Sequence, residues 1–204
     1  AAGEPQLAEG QLTHAVLIFE RLRFVPCDAE EEPSVLHGPF VVDLITHSVT
    51  PELGTFTVPE SGLCGIDAVL GAAERPPRLV GRSILFQGVR SDGATFLFFT
   101  ALSGTLRLRP LAGASFAEAD SHELLWAFRP RRWLVPSELD AEQPEPLDDT
   151  PSVLVIDVDR HPALFQLVRS RLAARSTLHL DLNDNRELDE DERAGEALIG
   201  QGLG

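Results

Sequence analysis

The chain has 204 residues, enough for one large β domain or two small ones, and 43% of them are hydrophobic, which supports a packed core and excludes wholesale disorder. Its 32 acidic residues outnumber 17 basic ones, all arginine, so the formal net charge is −15. Such a surface repels phosphate backbones and excludes a nucleic-acid partner; no apolar run reaches the roughly 18 residues of a membrane span.

Leu12 to Phe24 predicts a first strand, with Val16 to Phe19 apolar and then Leu22 and Phe24 on alternate positions. An acidic loop follows, Asp28 to Pro33. Phe40 to Ile45 predicts a strand reached through Gly38-Pro39, and Thr55 to Val58 a short one closed by Pro59 and a Glu60-Ser61-Gly62 turn. Leu63 to Leu70 alternates in the same way. Ser83 to Thr100 predicts a hairpin, because Asp92-Gly93 supplies the positive φ that a tight turn needs. Thr105 to Arg109 and Leu124 to Phe128 complete the strands of the first two-thirds. Pro136 to Pro151, rich in proline and acid, predicts a solvated connection without an element of its own. Beyond it, Val153 to Val158 predicts a buried strand and Leu178 to Leu182 a short one. Pro162 opens a helix to about Ala174 with Leu164, Phe165, Leu167, Val168 and Leu172 as apolar positions. Glu190 to Ile199 predicts a last helix trailing into the glycine-rich end.

The expected fold is therefore mainly β: a β-sandwich of the immunoglobulin or transthyretin kind over residues 10–135, a proline-rich acidic connection over 136–152, and a small C-terminal helical lobe over 153–204. The chain begins Ala1-Ala2-Gly3 without an initiator methionine, and the expectation is an exported chain whose signal segment has been removed. For Cys27 and Cys64, one disulfide is the reading that export favours, and two separate buried thiols is the other.

Asp181, Asn183, Asn185, Glu187, Asp189 and Glu192 carry the sharpest chemical signal. Counted from Asp181, oxygen side chains stand at positions 1, 3, 5, 9 and 12, and position 7, Glu187, offers its backbone carbonyl. This segment resembles the calcium loop of the EF-hand family, whose spacing wraps six to eight oxygens around one hard cation. The resemblance implies a bound Ca2+ and a bidentate Glu192 opening the next helix. It departs from the family at position 6, where Arg186 replaces the usual glycine at a cost on the order of 1 kcal/mol. The preceding STLHLDL looks extended rather than helical, which resembles the strand-preceded calcium loops of secreted bacterial proteins.

The segments RFVPC, PFVVDLIT, VPESGLCGIDAVL and LVGRSILFQGVRSDGATFLF together resemble domains of unknown function in exported bacterial lipoproteins. That resemblance implies an envelope or secreted β-sandwich, a Cys27–Cys64 bridge and no catalytic residues, and leaves room for a lipid anchor upstream.

The remaining candidates are weaker. None of His14, His37, His47, His122, His161 and His179 forms a close pair at metal spacing, and His122-Glu123 lacks the second histidine of a zinc-protease helix. Asp157 and Asp159 fall on one side of a predicted strand, the arrangement of paired carboxylates in glycoside hydrolysis. Ser61 and Ser83 sit in no nucleophile elbow. Arg129, Arg131, Arg132 and Trp133 form a basic-aromatic patch that balances the acidic surface and packs Trp133 on the sheet. The sequence thus points to a non-enzymatic, exported, calcium-stabilised binding or assembly module at the bacterial envelope or surface, with another protein or a surface glycan as partner. The alternative is a carbohydrate-active or other hydrolytic protein using Asp157 and Asp159.

Overall fold

Strand β1 (Leu12–Pro26) is the spine of the molecule, and its residue pattern explains why. Ala15, Leu17 and Phe19 face the main core while Val16 and Ile18 face a second apolar cluster, so this half is buried on both sides. The pairing shifts between Phe19 and Arg21 against both neighbouring strands: Glu20 is the extra residue against the Leu63–Leu70 strand, whereas against the Ser34–Asp43 strand the extra residue lies on the partner, at Gly38-Pro39. Beyond this bulge the core-facing positions change from odd to even, and Leu22 and Phe24 return to the main core. Without the extra residue both would face water. Gly38 lies across from the bulge, and a Cβ there would stand 2.5 Å from the Phe19 carbonyl oxygen.

The computed structural model describes residues 12–74, 77–101, 103–110, 123–144, 153–181 and 198–203. Among them the chain is mainly β. The further strands are β2 (Ser34–Asp43), β3 (Ser48–Thr50), β4 (Leu63–Leu70), β5 (Ile84–Val89), β6 (Thr95–Thr100), β7 (Gly104–Pro110), β8 (Glu123–Ala127), β9 (Val153–Ile156), β10 (Thr177–Asp181) and β11 (Leu198–Leu203). Three helices, α1 (Pro130–Trp133), α2 (Pro136–Ala141) and α3 (Pro162–Ala174), lie between them. The strands form one sheet that divides at β1. On the same edge of β1, the first half pairs with β5 and the second half with β4. One wing continues β5-β6-β9 and the other β4-β7-β11-β10-β8, with β2 and β3 along the opposite edge. All pairings are antiparallel except β6 with β9.

Both wings and α3 share one core. Rings connect them: Phe86 packs on Phe98 and Trp133, Phe98 on Phe165 of α3, and Phe19 on Trp126 and Phe128. Each such buried ring contributes about 1.5–3 kcal/mol through lost apolar exposure. The predicted hairpin is β5–β6 with Gly93 at φ 84°, and the predicted helix is α3 with Leu164, Phe165, Val168 and Leu172 buried.

Several elements depart from the sequence reading. Thr55 to Val58 forms no strand; Phe56 there stacks on Phe24 instead. Leu167 is exposed on α3. The 136–152 connection opens with a helix, α2, which buries Leu139. Leu198 and Ile199 belong to a strand, not to a final helix, and the glycine-rich end continues that strand as far as Leu203. The strand from Val153 stops at Ile156. The 153–204 segment, read as a lobe, supplies three strands to the common sheet, and β10 and β11 lie between β8 and β7.

Candidate functional site

The segment whose sequence resembles a calcium loop follows directly on β10. Leu178 and His179 are buried, Ser176 donates its hydroxyl to the Leu172 carbonyl at 2.8 Å, and the strand is paired on both edges, with β8 and β11. Asp181, position 1 of the loop, is the last residue of β10 and pairs with Glu123. The chain rejoins the sheet at Leu198, which pairs with His179. The loop is thus the connection between two adjacent antiparallel strands, and the segment before it is extended, as its sequence suggested. Asn183, Asn185, Glu187, Asp189 and Glu192 lie outside the described residues, as does most of the helix expected after them. Among the described residues no group of three or more His, Cys, Asp or Glu converges as a metal site.

Asp157 and Asp159 come together, but in a turn after β9 rather than on a strand. They border a groove of about 390 Å³ at the carboxyl ends of the parallel pair β6 and β9, shared with Val80, Arg82, Phe99 and Phe165. Arg82 lies over the Phe99 ring at 4.7 Å and donates to the Arg78 carbonyl oxygen. Asp157 is committed to the turn. One of its oxygens accepts from the backbone N–H of Asp159 at 3.0 Å and of Arg160 at 2.8 Å; the other accepts from the Arg160 guanidinium at 2.9 Å. A hydrolytic pair needs both carboxylates aimed at one bond, whereas the Asp157 carboxylate shapes the turn that starts α3.

Cys27 and Cys64 are bonded, with sulfurs 2.03 Å apart, joining the end of β1 to the start of β4. Beside them Glu31 performs a task the sequence reading missed. Its carboxylate accepts the backbone N–H groups of Glu60 and Ser61 at 2.8 and 3.1 Å and the Ser61 hydroxyl at 2.6 Å. The hydrogen bond from the Ser61 hydroxyl, then that from its backbone, holds the Glu31 carboxyl below its ordinary value. The acidic loop is therefore pinned to the 59–62 turn. Its sequence signal was a run of acids opposite a Ser-Gly turn, too common to single out one carboxylate.

Arg90 was also missed. Its guanidinium is buried at the end of β5 and donates to the carbonyl oxygens of Glu142 at 2.8 Å and Asp140 at 3.2 Å, closing the C-terminus of α2. Its Nε is 3.7 Å from an Asp140 carboxylate oxygen, an ion-pair distance beyond hydrogen bonding.

Four of the other candidates have partners within the fold. Ser83 donates to the Thr100 carbonyl, His161 Nδ1 meets Glu142 at 3.0 Å, and His179 Nε2 meets Thr177 Oγ1 at 2.9 Å. Trp133 is fully buried between Phe86 and Phe128. Among the described residues no helix is long and apolar enough to cross a membrane. No family model, no curated protein and no solved structure matches the chain.

Proposed function

We propose that the protein is a non-enzymatic, exported β module whose β10–β11 connection binds a structural calcium ion, and which serves as a binding or assembly unit at the bacterial envelope or surface. The observation that carries this reading is the placement of Asp181 at the end of a strand paired on both edges, with the chain returning to that strand's neighbour at Leu198. A loop so anchored needs only a cation to neutralise its acids. The donors fit a hard ion: side-chain oxygens of Asp181, Asn183, Asn185, Asp189 and Glu192 and the carbonyl of Glu187. A Cys27–Cys64 bridge suits an oxidising compartment and supports export. We read the two wings joined by β1 as the layers of a sandwich over one core.

The hydrolytic alternative ranks second, because Asp157 is occupied by its own turn. As a lone extracellular loop, the calcium site belongs at the weak end of affinity, roughly 10⁻⁴–10⁻³ M. An ion that binds only the folded chain adds about 2.7 kcal/mol at 100 times its Kd. Relative to the protein in calcium at about 100 times Kd, roughly 10–100 mM, chelation therefore lowers Tm by about 5–10 °C for a chain of this size. It also speeds amide exchange after Leu180 and spares the β5–β6 wing. Glu192→Gln reproduces the chelated state, and Arg186→Gly tightens binding. Melting and exchange indifferent to chelator would leave the loop an acidic turn.

A further inference from the structure

The register of the sheet places a cationic face on this acidic molecule. Across β1, β4 and β7, Arg23 stands beside Asp67 and Asp67 beside Arg107, while Arg21 lies two residues along β1 and Arg109 two along β7. Arg21, Arg23 and Arg107 are exposed, and Arg109 is half-buried. Four arginines thus share this face with Asp67 and, at the bulge, Glu20, in a chain of net charge −15. Asp67 is already paired with Arg109 at 2.9 Å. The Arg109 guanidinium rests over Gly65, where any Cβ would collide with it. Strand geometry sets Arg21 and Arg23 about 7 Å apart and sets β1 about 10 Å from β7. At physiological ionic strength charges beyond roughly 8 Å are screened, so a ligand on this face meets the arginines rather than the net charge.

We propose that this face binds a linear anionic polysaccharide through its carboxylate or sulfate groups. The inference rests on the reading of the protein as a binding module and names the partner. The three strands are interior ones with both edges paired, so a peptide cannot add to them as a strand, and the face offers no apolar groove for a helix. No Phe or Trp of β1, β4 or β7 lies on it to stack a neutral sugar; the neighbouring ring is the imidazole of His37, opposite Arg21. What it does present is a set of guanidinium groups carried on paired strands, which grip carboxylate and sulfate oxygens in bidentate fashion.

The test uses the intact protein in affinity electrophoresis against hyaluronan, dextran sulfate, neutral dextran, polyglutamate and duplex DNA, with calcium and with chelator. Retention by hyaluronan or dextran sulfate under both conditions is expected, the pair separating carboxylate from sulfate recognition. Neutral dextran should not retain it. Arg21→Glu/Arg23→Glu should weaken retention by about tenfold, the size expected for two exposed ion pairs turned to repulsion. Arg78→Glu/Arg169→Glu, on other surfaces, should leave it unchanged, and circular dichroism checks that each variant is folded. Equal weakening by both variants, no retention by either polyanion, or stronger retention by polyglutamate or DNA would overturn the proposal. Retention that vanishes with chelator would move the binding to the calcium loop and overturn it as well. If the protein binds the glycans but takes up no calcium, only the calcium reading falls.

Discussion

Glu31 shows what one carboxylate can hold. It gathers donors from a turn that begins 29 positions further along the chain, beside the disulfide. Its folded pKa lies below the ordinary 4.5, so its stabilisation is present above the unfolded-state value and is lost as pH falls through the folded one. The Tm difference between wild type and Glu31→Gln should therefore be largest near neutrality and close as the solution is acidified; a difference independent of pH would contradict the assignment. Arg90 acts from a buried position. Arg90→Ala strips two charge-assisted hydrogen bonds from the end of α2 and should cost about 2–3 kcal/mol in denaturant unfolding. A loss under half a kilocalorie would mean that water replaces it fully. Neither role could be read from sequence, because each depends on a partner brought close only by the fold.

Elements with local causes were legible. The β5–β6 hairpin follows from Asp92-Gly93, and α3 from Pro162 and the spacing of its apolar residues. Elements with tertiary causes were not. Thr55 to Val58 has the composition of a strand but joins no sheet, whereas the glycine-rich LIGQGL is a strand because β7 and β10 hold it on both edges. In α2, a proline at the first helical turn and three helix-compatible residues after it were hidden by the surrounding acidic, proline-rich composition. The Cys27–Cys64 pairing was legible from cysteine number, though its task was not: it closes the β1–β4 pair where the register shifts at Pro26. With a sequence separation of 37, the chain-entropy model assigns it about 4 kcal/mol. Cys27→Ala/Cys64→Ala should lose about that much in reversible unfolding, and a loss below 1 kcal/mol would show that the Glu31 clamp suffices.

At the scale of the molecule, the order β8-β10-β11-β7 threads the last strands between earlier ones, so the C-terminal segment is part of the sheet. No local pattern announces such an insertion, which is why a separate lobe was expected. Its consequence is functional: the acidic segment connects two interior strands, so what stabilises it acts first on the β4-β7-β11-β10-β8 wing. The arginine face on β1, β4 and β7 belongs to the same wing, one side of it cationic in an otherwise acidic molecule. Both features enter the proposed reading of the protein as a binding module. The most direct measurement is calorimetric titration of chelator-treated protein with millimolar calcium. The account predicts a saturable heat of one ion per chain that Glu192→Gln abolishes; no heat in the wild type, or equal heat in the variant, would contradict it.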